Sequence, residues 1–153
     1  MKALVVFATF SGSTQLAAKT VQESLSEHHL ETVIKNVSQT TPGDLGQYDV
    51  VVLCSPSWDY NGQEGMLHED YIPFMESAKG QFFSNVKFAV VGLGDSSYTK
   101  FCGAVAHLEK FIADLKGQLM VESLKIDGFF YDQGGNTQKV KTWTDQLAGK
   151  LQS

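Results

Sequence analysis

The chain has 153 residues, of which 42% are apolar, and its formal net charge is −5. This length predicts a single domain over residues 1–153 with a core that needs neither disulfides nor metals, and no stretch approaches the roughly 20 apolar residues of a membrane span. The negative charge, which comes without a basic stripe, argues against nucleic acid as a partner.

Strand-like and helix-like segments alternate along the whole chain. The first ten residues make a poor signal peptide, so we expect a cytoplasmic protein. Runs rich in apolar and β-branched residues predict strands over 3–7, 30–37, 49–54, 86–92 and 119–126. Helical periodicity predicts helices over 13–26, 69–78, 104–116 and 137–151, and a long polar loop with Gly62 and Gly65 follows the third strand. The alternation predicts an α/β fold, a doubly wound five-stranded parallel sheet with helices on both faces.

Ligands of such sheets bind outside the carboxyl ends of the strands. The first of these loops reads Thr-Phe-Ser-Gly-Ser-Thr over 9–14. Its hydroxyls stand where a helix begins, so they favour phosphate binding by hydroxyl and backbone N–H donors. The absence of arginine from the sequence fits such donors, since arginine is the usual phosphate clamp. The alternative is plain N-capping by Ser11 or Ser13.

Two further strand ends carry aromatic residues in polar loops. Ser57-Trp58-Asp59 follows the third strand, and Gly94 to Tyr98 follows the fourth. Two aromatics on neighbouring loops above a phosphate site could enclose a flat ring between them. The alternative for Trp58 alone is a lid over the core.

The remaining reactive side chains indicate little chemistry. Cys54 and Cys102 are expected to be small buried hydrophobes, since two distant thiols make no disulfide framework. No Cys/His cluster has the spacing of a metal site. His68 is expected at the surface or at the rim of the site.

With these three loops in order, the sequence resembles a flavodoxin of the short-chain type over nearly its whole length. The specific segments are 9–14, Ser57-Trp58, 94–98 and 101–105, with Ile126-Asp127-Gly128 at the fifth strand. The resemblance implies the strand order 2-1-3-4-5 and one non-covalently bound flavin mononucleotide (FMN). It also implies a low-potential electron carrier without substrate turnover, a monomer that transfers one or two electrons between redox partner proteins.

The resemblance assigns each loop a part of the cofactor. The first loop would wrap the phosphate, and Ser57 would bond the ribityl chain or the phosphate. Trp58 would stack on the inner face of the ring and Tyr98 on the outer face, while Gly94, Asp95 and Cys102 would meet the pyrimidine edge through backbone groups. The implied cofactor-binding residues are Thr9, Phe10, Ser11, Gly12, Ser13, Thr14, Ser57, Trp58, Asp59, Leu93, Gly94, Asp95, Tyr98, Phe101 and Cys102.

Four positions depart from the family pattern. Phe10 replaces a hydroxyl residue of the phosphate loop, Ser13 replaces an asparagine, and Lys100 stands where an aromatic is common. A Lys100 side chain that reaches the flavin would partly stabilise the anionic, fully reduced ring and raise its reduction potential. Asp59 follows Trp58 where several relatives have glycine, which predicts less separated one-electron steps because a non-glycine residue reaches φ > 0 at a cost of about 1 kcal/mol. The candidates for an acidic rim that disfavours an added negative charge are Asp59, Glu64, Asp95 and Asp127. The alternative for any single one of them is a solvated surface position.

Three other functions share this architecture. A phosphorelay receiver needs Asp at the ends of strands one and three, where this sequence has Phe7-Ala8-Thr9 and Cys54-Ser55. A flavin-dependent NAD(P)H quinone reductase would need a nicotinamide site, against which the short chain and the absent arginine argue. A domain that has lost FMN and serves as an interaction module stays open because of Phe10 and Lys100.

Overall fold

The structure, a computed structural model, describes residues 1–60, 63–96 and 101–152. Within these ranges the strands are β1 Lys2–Phe7, β2 Glu31–Asn36, β3 Val50–Pro56, β4 Trp58–Tyr60, β5 Gln63–Met66, β6 Lys87–Gly94, β7 Gln118–Leu119 and β8 Leu124–Asp127. The α-helices are α1 Ser13–Glu27, α2 Pro42–Leu45, α3 Tyr71–Ser77, α4 Gly103–Asp114 and α5 Gln133–Leu151.

The main sheet is parallel and has the order β2-β1-β3-β6, with β7 and β8 both paired to β6. This arrangement confirms the predicted order 2-1-3-4-5, in which the last position is filled by two short strands. The prediction of one continuous strand over 119–126 is wrong. The carbonyl of Glu122 accepts a hydrogen bond from Trp143 Nε1 of α5 at 2.9 Å, so it faces a helix instead of the sheet ladder.

The sheet is buried on both faces because its strands alternate their side chains between two apolar layers. On one face α1 and α5 cover residues such as Val5, Val52 and Val91. On the other face α3 and α4 cover residues such as Val51 and Val90. This two-layer cover is why the central strands read as continuous apolar runs, and it confirms the prediction of helices on both faces.

The predicted polar loop after the third strand is in part a hairpin. β4 and β5 pair antiparallel, with Trp58 opposite Met66 and Tyr60 opposite Gln63. The hairpin leads the chain back over the end of β3 before α3 begins. It was not predicted because its strands are short and polar, without the alternation that marks a half-buried strand.

Within the described ranges, no helix is long and apolar enough to cross a membrane. Both thiols are buried and free, as expected of small apolar side chains. Burial raises the pKa of Cys54 far above its usual range, and it raises the pKa of Cys102 to about 11. Neither thiol is therefore a ready nucleophile at neutral pH.

Candidate functional site

The carboxyl ends of β1, β3 and β6 lie side by side at one edge of the sheet. Phe7 is in register with Cys54, and Pro56 is in register with Leu93. Gly94, the last residue of β6, is in register with Asp127 at the end of β8. The loops that the sequence singled out are therefore brought together at the edge where doubly wound sheets bind ligands.

The first loop turns directly into α1. Gly12 is the N-cap residue, with a left-handed φ of 94°, and no side chain caps the helix there. The alternative of N-capping by Ser11 or Ser13 is therefore wrong. The N–H of Gly12 donates to Thr9 Oγ1 at 2.9 Å, which closes the turn. The N–H groups of the first helical turn have no acceptor within the helix, and they offer an anion a positive dipole end.

Thr14 supplies a test of whether this loop fits a phosphate. Its side chain is fully buried, and within the described ranges its Oγ1 has no hydrogen-bond partner. A buried hydroxyl without a partner costs about 1–3 kcal/mol, so proteins rarely keep one without a ligand or water to satisfy it. A Cβ built at Gly12 would meet open space, so the loop leaves room above the helix start. The residues present therefore fit a bound phosphate.

The second loop places Trp58 in an aromatic cluster with Phe10 of the first loop. The ring of Phe10 lies against Trp58, with centroids 4.1 Å apart and planes at 43°. The same ring stacks on His68 at 3.9 Å and 21°. Trp58 thus contacts the first loop through Phe10. The ring platform and the lid over the core both stay predictions for Trp58.

Ser57 links the second loop to the third. Its N–H donates to the carbonyl oxygen of Leu93 at 2.8 Å, and its Oγ accepts from the N–H of Ala104 in the first turn of α4 at 2.9 Å. The predicted bond from Ser57 to a ribityl or phosphate oxygen stays a prediction. In the structure the hydroxyl oxygen of Ser57 already accepts the bond from Ala104 at the start of α4. The hydroxyl proton of Ser57 can still be donated to a ligand oxygen.

The third loop is fixed by the core beneath Leu93 and by the close approach of Cys102 to Gly94. The side chain of Leu93 is buried in the core, so its part in the site is through the backbone. A Cβ at Gly94 would lie 3.1 Å from the backbone nitrogen and the Sγ of Cys102, a close approach that favours glycine. Cys102 itself has a left-handed φ of 50° just before α4. Asp95 and Phe101 are each half-buried.

Three predicted features fall where little can be described. Tyr98 and Lys100 lie outside the described residues, and so does the side chain of Asp59. The outer ring platform, the effect of Lys100 and the effect of Asp59 on the one-electron steps therefore stay predictions.

The sequence missed three side chains that support this edge. His68 was expected at the surface or at the rim of the site. It lies beneath Phe10 and is 5% exposed, because the hairpin returns the chain there. The backbone N–H of His68 donates to the buried Ser55 Oγ at 3.0 Å. The Tyr71 hydroxyl donates to the carbonyl oxygens of Cys54 (2.8 Å) and Val6 (3.2 Å), and its burial raises its pKa. No local pattern marks such partners, because each lies far away in the sequence.

The charged groups at this edge include one carboxylate whose pKa is shifted by a neighbouring loop. Among the described residues, no group of three or more His, Cys, Asp or Glu could hold a metal ion. Hydrogen bonds from Ser96 lower the pKa of Asp127, with a smaller contribution from Lys139. Backbone and hydroxyl donors hold one end of the site, and aromatic side chains line the other.

A doubly wound sheet whose first loop fits a phosphate, with an aromatic side chain at the end of the neighbouring strand, is the architecture of a nucleotide-binding protein. The flavodoxin family model matches residues 5–143. The chain is 32% identical over 152 residues to a flavodoxin of Maridesulfovibrio salexigens, a match that covers 98% of this chain and 99% of that one.

Solved structures agree with this match. Oxidised flavodoxin 2 of Bacillus cereus superposes with a TM-score of 0.88 at 26% identity, over 98% of this chain and 99% of that one. A Fusobacterium nucleatum flavodoxin bound to flavin mononucleotide has the same fold, with a TM-score of 0.82 at 15% identity, over 97% of this chain and 98% of that one. The chain belongs to the flavodoxin family and is an FMN-binding electron-transfer protein.

Proposed function

We propose that this flavodoxin carries electrons between protein partners, as a cytoplasmic monomer, without turning over a substrate of its own. The observation that supports its binding end is the buried Thr14 hydroxyl without a partner among the described residues, next to an open, left-handed Gly12. The full-length match to a flavodoxin supports the carrier function over an activity that needs a second substrate site.

The proposed binding residues divide into three groups. The loop Thr9–Thr14 would donate hydroxyl and backbone N–H groups to the phosphate. Trp58 would offer its indole face to the inner side of the ring, with Tyr98 on the outer side. The backbone of Gly94 and Asp95, with the N–H of Cys102, would meet the pyrimidine edge, and Ser57 would bond the ribityl chain or the phosphate. The remaining cofactor-binding residues would be Asp59, Leu93 and Phe101. Bound FMN supplies a ring that accepts and releases one or two electrons.

The roles of the protein groups follow from their chemistry. Charge-neutral donors hold the phosphate dianion without adding a cation near the ring. A negative phosphate and an acidic group such as Asp95 disfavour a further negative charge on the ring, and so they lower the reduction potential. The chain therefore favours delivery of electrons at low potential.

The partners would be proteins with a basic docking face. A net charge of −5 steers association toward positive surfaces, and such encounters weaken as salt screens the charges. We expect the rate of electron transfer to a basic partner protein to fall as ionic strength rises. A rate that does not depend on salt would argue against electrostatic docking.

The first experiment is an absorption spectrum of the purified protein, followed by a dithionite titration at known potentials. We expect flavin bands, FMN released on denaturation, and two low-potential steps. A colourless protein that cannot be reconstituted with FMN would contradict the binding function itself.

The absence of substrate turnover is tested separately. The FMN-loaded protein is incubated with NADH or NADPH and a quinone, and oxidation of the nicotinamide is followed by its absorbance. We expect no steady oxidation until a separate reductase is added. Sustained turnover by the protein alone would favour the quinone reductase alternative.

A further inference from the structure

The end of β8 holds the loop that follows β6. Asp127 Oδ1 accepts a hydrogen bond from the N–H of Ser96 at 2.9 Å. One residue further along, the N–H of Gly128 donates to the carbonyl oxygen of Gly94 at 2.9 Å. The backbone on both sides of Asp95 is therefore tied to a strand more than thirty residues away in the sequence.

The end of β8, which makes these two hydrogen bonds, is itself fixed by the sheet and by α5. Asp127 is in register with Gly94, so its carboxylate extends the ladder by one more hydrogen bond beyond the last strand pair. The chain then turns at Gly128, with a φ of 55°. Asn136 of α5, which is 4% exposed, donates from Nδ2 to the carbonyl of Phe129 at 3.0 Å. The end of β8 is thus held by a buried side chain and can position what it contacts.

The charged and titratable groups around Asp127 come from every neighbouring element. Lys139 of α5 lies close enough to favour its ionised form, and Cys102, just before α4, interacts with it. Lys125 stands on β8 itself, and Asp95 stands in the loop that Asp127 holds. Because the Asp127 carboxylate is fully exposed, its charge is screened by solvent and salt. Its hydrogen bond to Ser96 acts on the loop at direct contact.

We propose that Asp127 is a positioning residue, whose carboxylate fixes the backbone of Gly94 to Ser96 for contact with the flavin, and that it acts through this hydrogen bond and not through its negative charge. This inference rests on the proposal that Gly94 and Asp95 meet the flavin. It assigns to Asp127 a different role from that of one acid in a rim.

The test separates the hydrogen bond from the charge. Asp127→Asn removes the charge and keeps an oxygen acceptor, whereas Asp127→Ala removes both. Asp132→Asn is the matched control, because it removes the same charge from the segment after β8 and keeps the acceptor that caps α5 at the N–H of Gly135. For each protein we would measure FMN affinity by quenching of flavin fluorescence, the midpoint potentials, and amide exchange at Ser96.

We expect Asp127→Ala to raise the FMN dissociation constant about tenfold or more, the usual range for a lost hydrogen bond to a charged group. We expect Asp127→Asn and Asp132→Asn to stay within about threefold of the parent protein, the range of a weak exposed charge effect. Faster exchange at Ser96 and shifted potentials should accompany the alanine change alone.

Equal effects of Asp127→Asn and Asp127→Ala would show that the charge acts and would overturn the proposal. Unchanged affinity and potentials in Asp127→Ala would overturn it as well. If the parent protein does not bind FMN, the proposed function fails first, and this inference fails with it.

Discussion

The phosphate end and the ring end of the site are built in different ways. At the phosphate end, the bond from Gly12 to Thr9 and the bond from Leu16 to Gly12 span three and four residues. At the ring end, Ala104 donates to Ser57 across 47 residues, and Ser96 donates to Asp127 across 31.

The two ends therefore take their shapes from different sources. At the phosphate end, the left-handed Gly12 and the start of α1 determine the geometry, so that geometry depends on one short segment of the chain. The ring end forms only when β3, β6, β8 and α4 pack together, because hydrogen bonds from one of these elements fix the loop of another. We therefore expect mutations at the phosphate end to act on binding and mutations at the ring end to act on binding and folding together.

The largest expected effect tests the phosphate end. In Thr14→Val the shape is kept and the buried hydroxyl is removed. We expect the FMN dissociation constant to rise about ten- to hundredfold, since a hydrogen bond to a charged group contributes about 1.5–3 kcal/mol. The FMN-free protein should be as stable as the parent or slightly more stable in urea unfolding, because an unsatisfied group is gone.

Thr144→Val is the matched control for this change. Thr144 is also fully buried, but its Oγ1 donates to the carbonyl oxygen of Val140 at 2.8 Å within α5. We expect Thr144→Val to lower the free energy of unfolding by about 1 kcal/mol and to leave the FMN dissociation constant unchanged. Should Thr14→Val destabilise the FMN-free protein as Thr144→Val does, the Thr14 hydroxyl would have a structural role and not a ligand-binding one.

The next effect tests the local turn. Gly12→Ala places a Cβ on a residue with a φ of 94°, which costs about 1–2 kcal/mol. If the loop relaxes to avoid that strain, FMN affinity should fall about tenfold, as followed by fluorescence titration. Gly134→Ala in α5 is the control, where we expect a gain of about 0.5–1 kcal/mol because alanine favours the helix. Unchanged affinity in Gly12→Ala would mean that the turn does not shape the phosphate site.

A smaller effect tests the contact between the two ends. Phe10→Leu removes the ring that contacts Trp58 at a tilt and stacks on His68. We expect a loss of about 0.5–1.5 kcal/mol of stability and a changed Trp58 fluorescence, since aromatic pairs contribute about that much. Phe82→Leu, at an exposed position outside the site, should change neither. A hundredfold loss of FMN affinity would instead show that Phe10 contacts the flavin directly.

The smallest effect concerns pH at the ring end. The pKa of Asp127 is lowered by its hydrogen bonds to Ser96, so its folded pKa lies below the usual 3.8 of the unfolded chain. The ionised Asp127 carboxylate therefore contributes to the free energy of unfolding above pH 4, and this contribution is lost as pH falls through the folded pKa. Urea unfolding of the FMN-free parent and of Asp127→Asn should give a constant difference between pH 5 and 7 that shrinks below about pH 4. A difference that persists at pH 2 would contradict this linkage.

The sequence by itself determined the features that depend on near neighbours. Apolar runs of strand length and helical periodicity predicted the alternation of elements, because burial on two faces leaves a pattern in every strand. The hydroxyl-rich loop before α1 predicted a phosphate site, because its donors are consecutive in the chain. The resemblance in the three loops added the strand order and the cofactor.

Tertiary structure decided the features that join distant segments. It split the last strand, since Trp143 takes the carbonyl of Glu122, and it buried His68 under Phe10. It showed that the N-cap is Gly12 and that Asp127 holds Ser96. A sequence pattern records how often a residue faces the core, but not which distant group satisfies each polar atom, because that choice is made when the elements pack together.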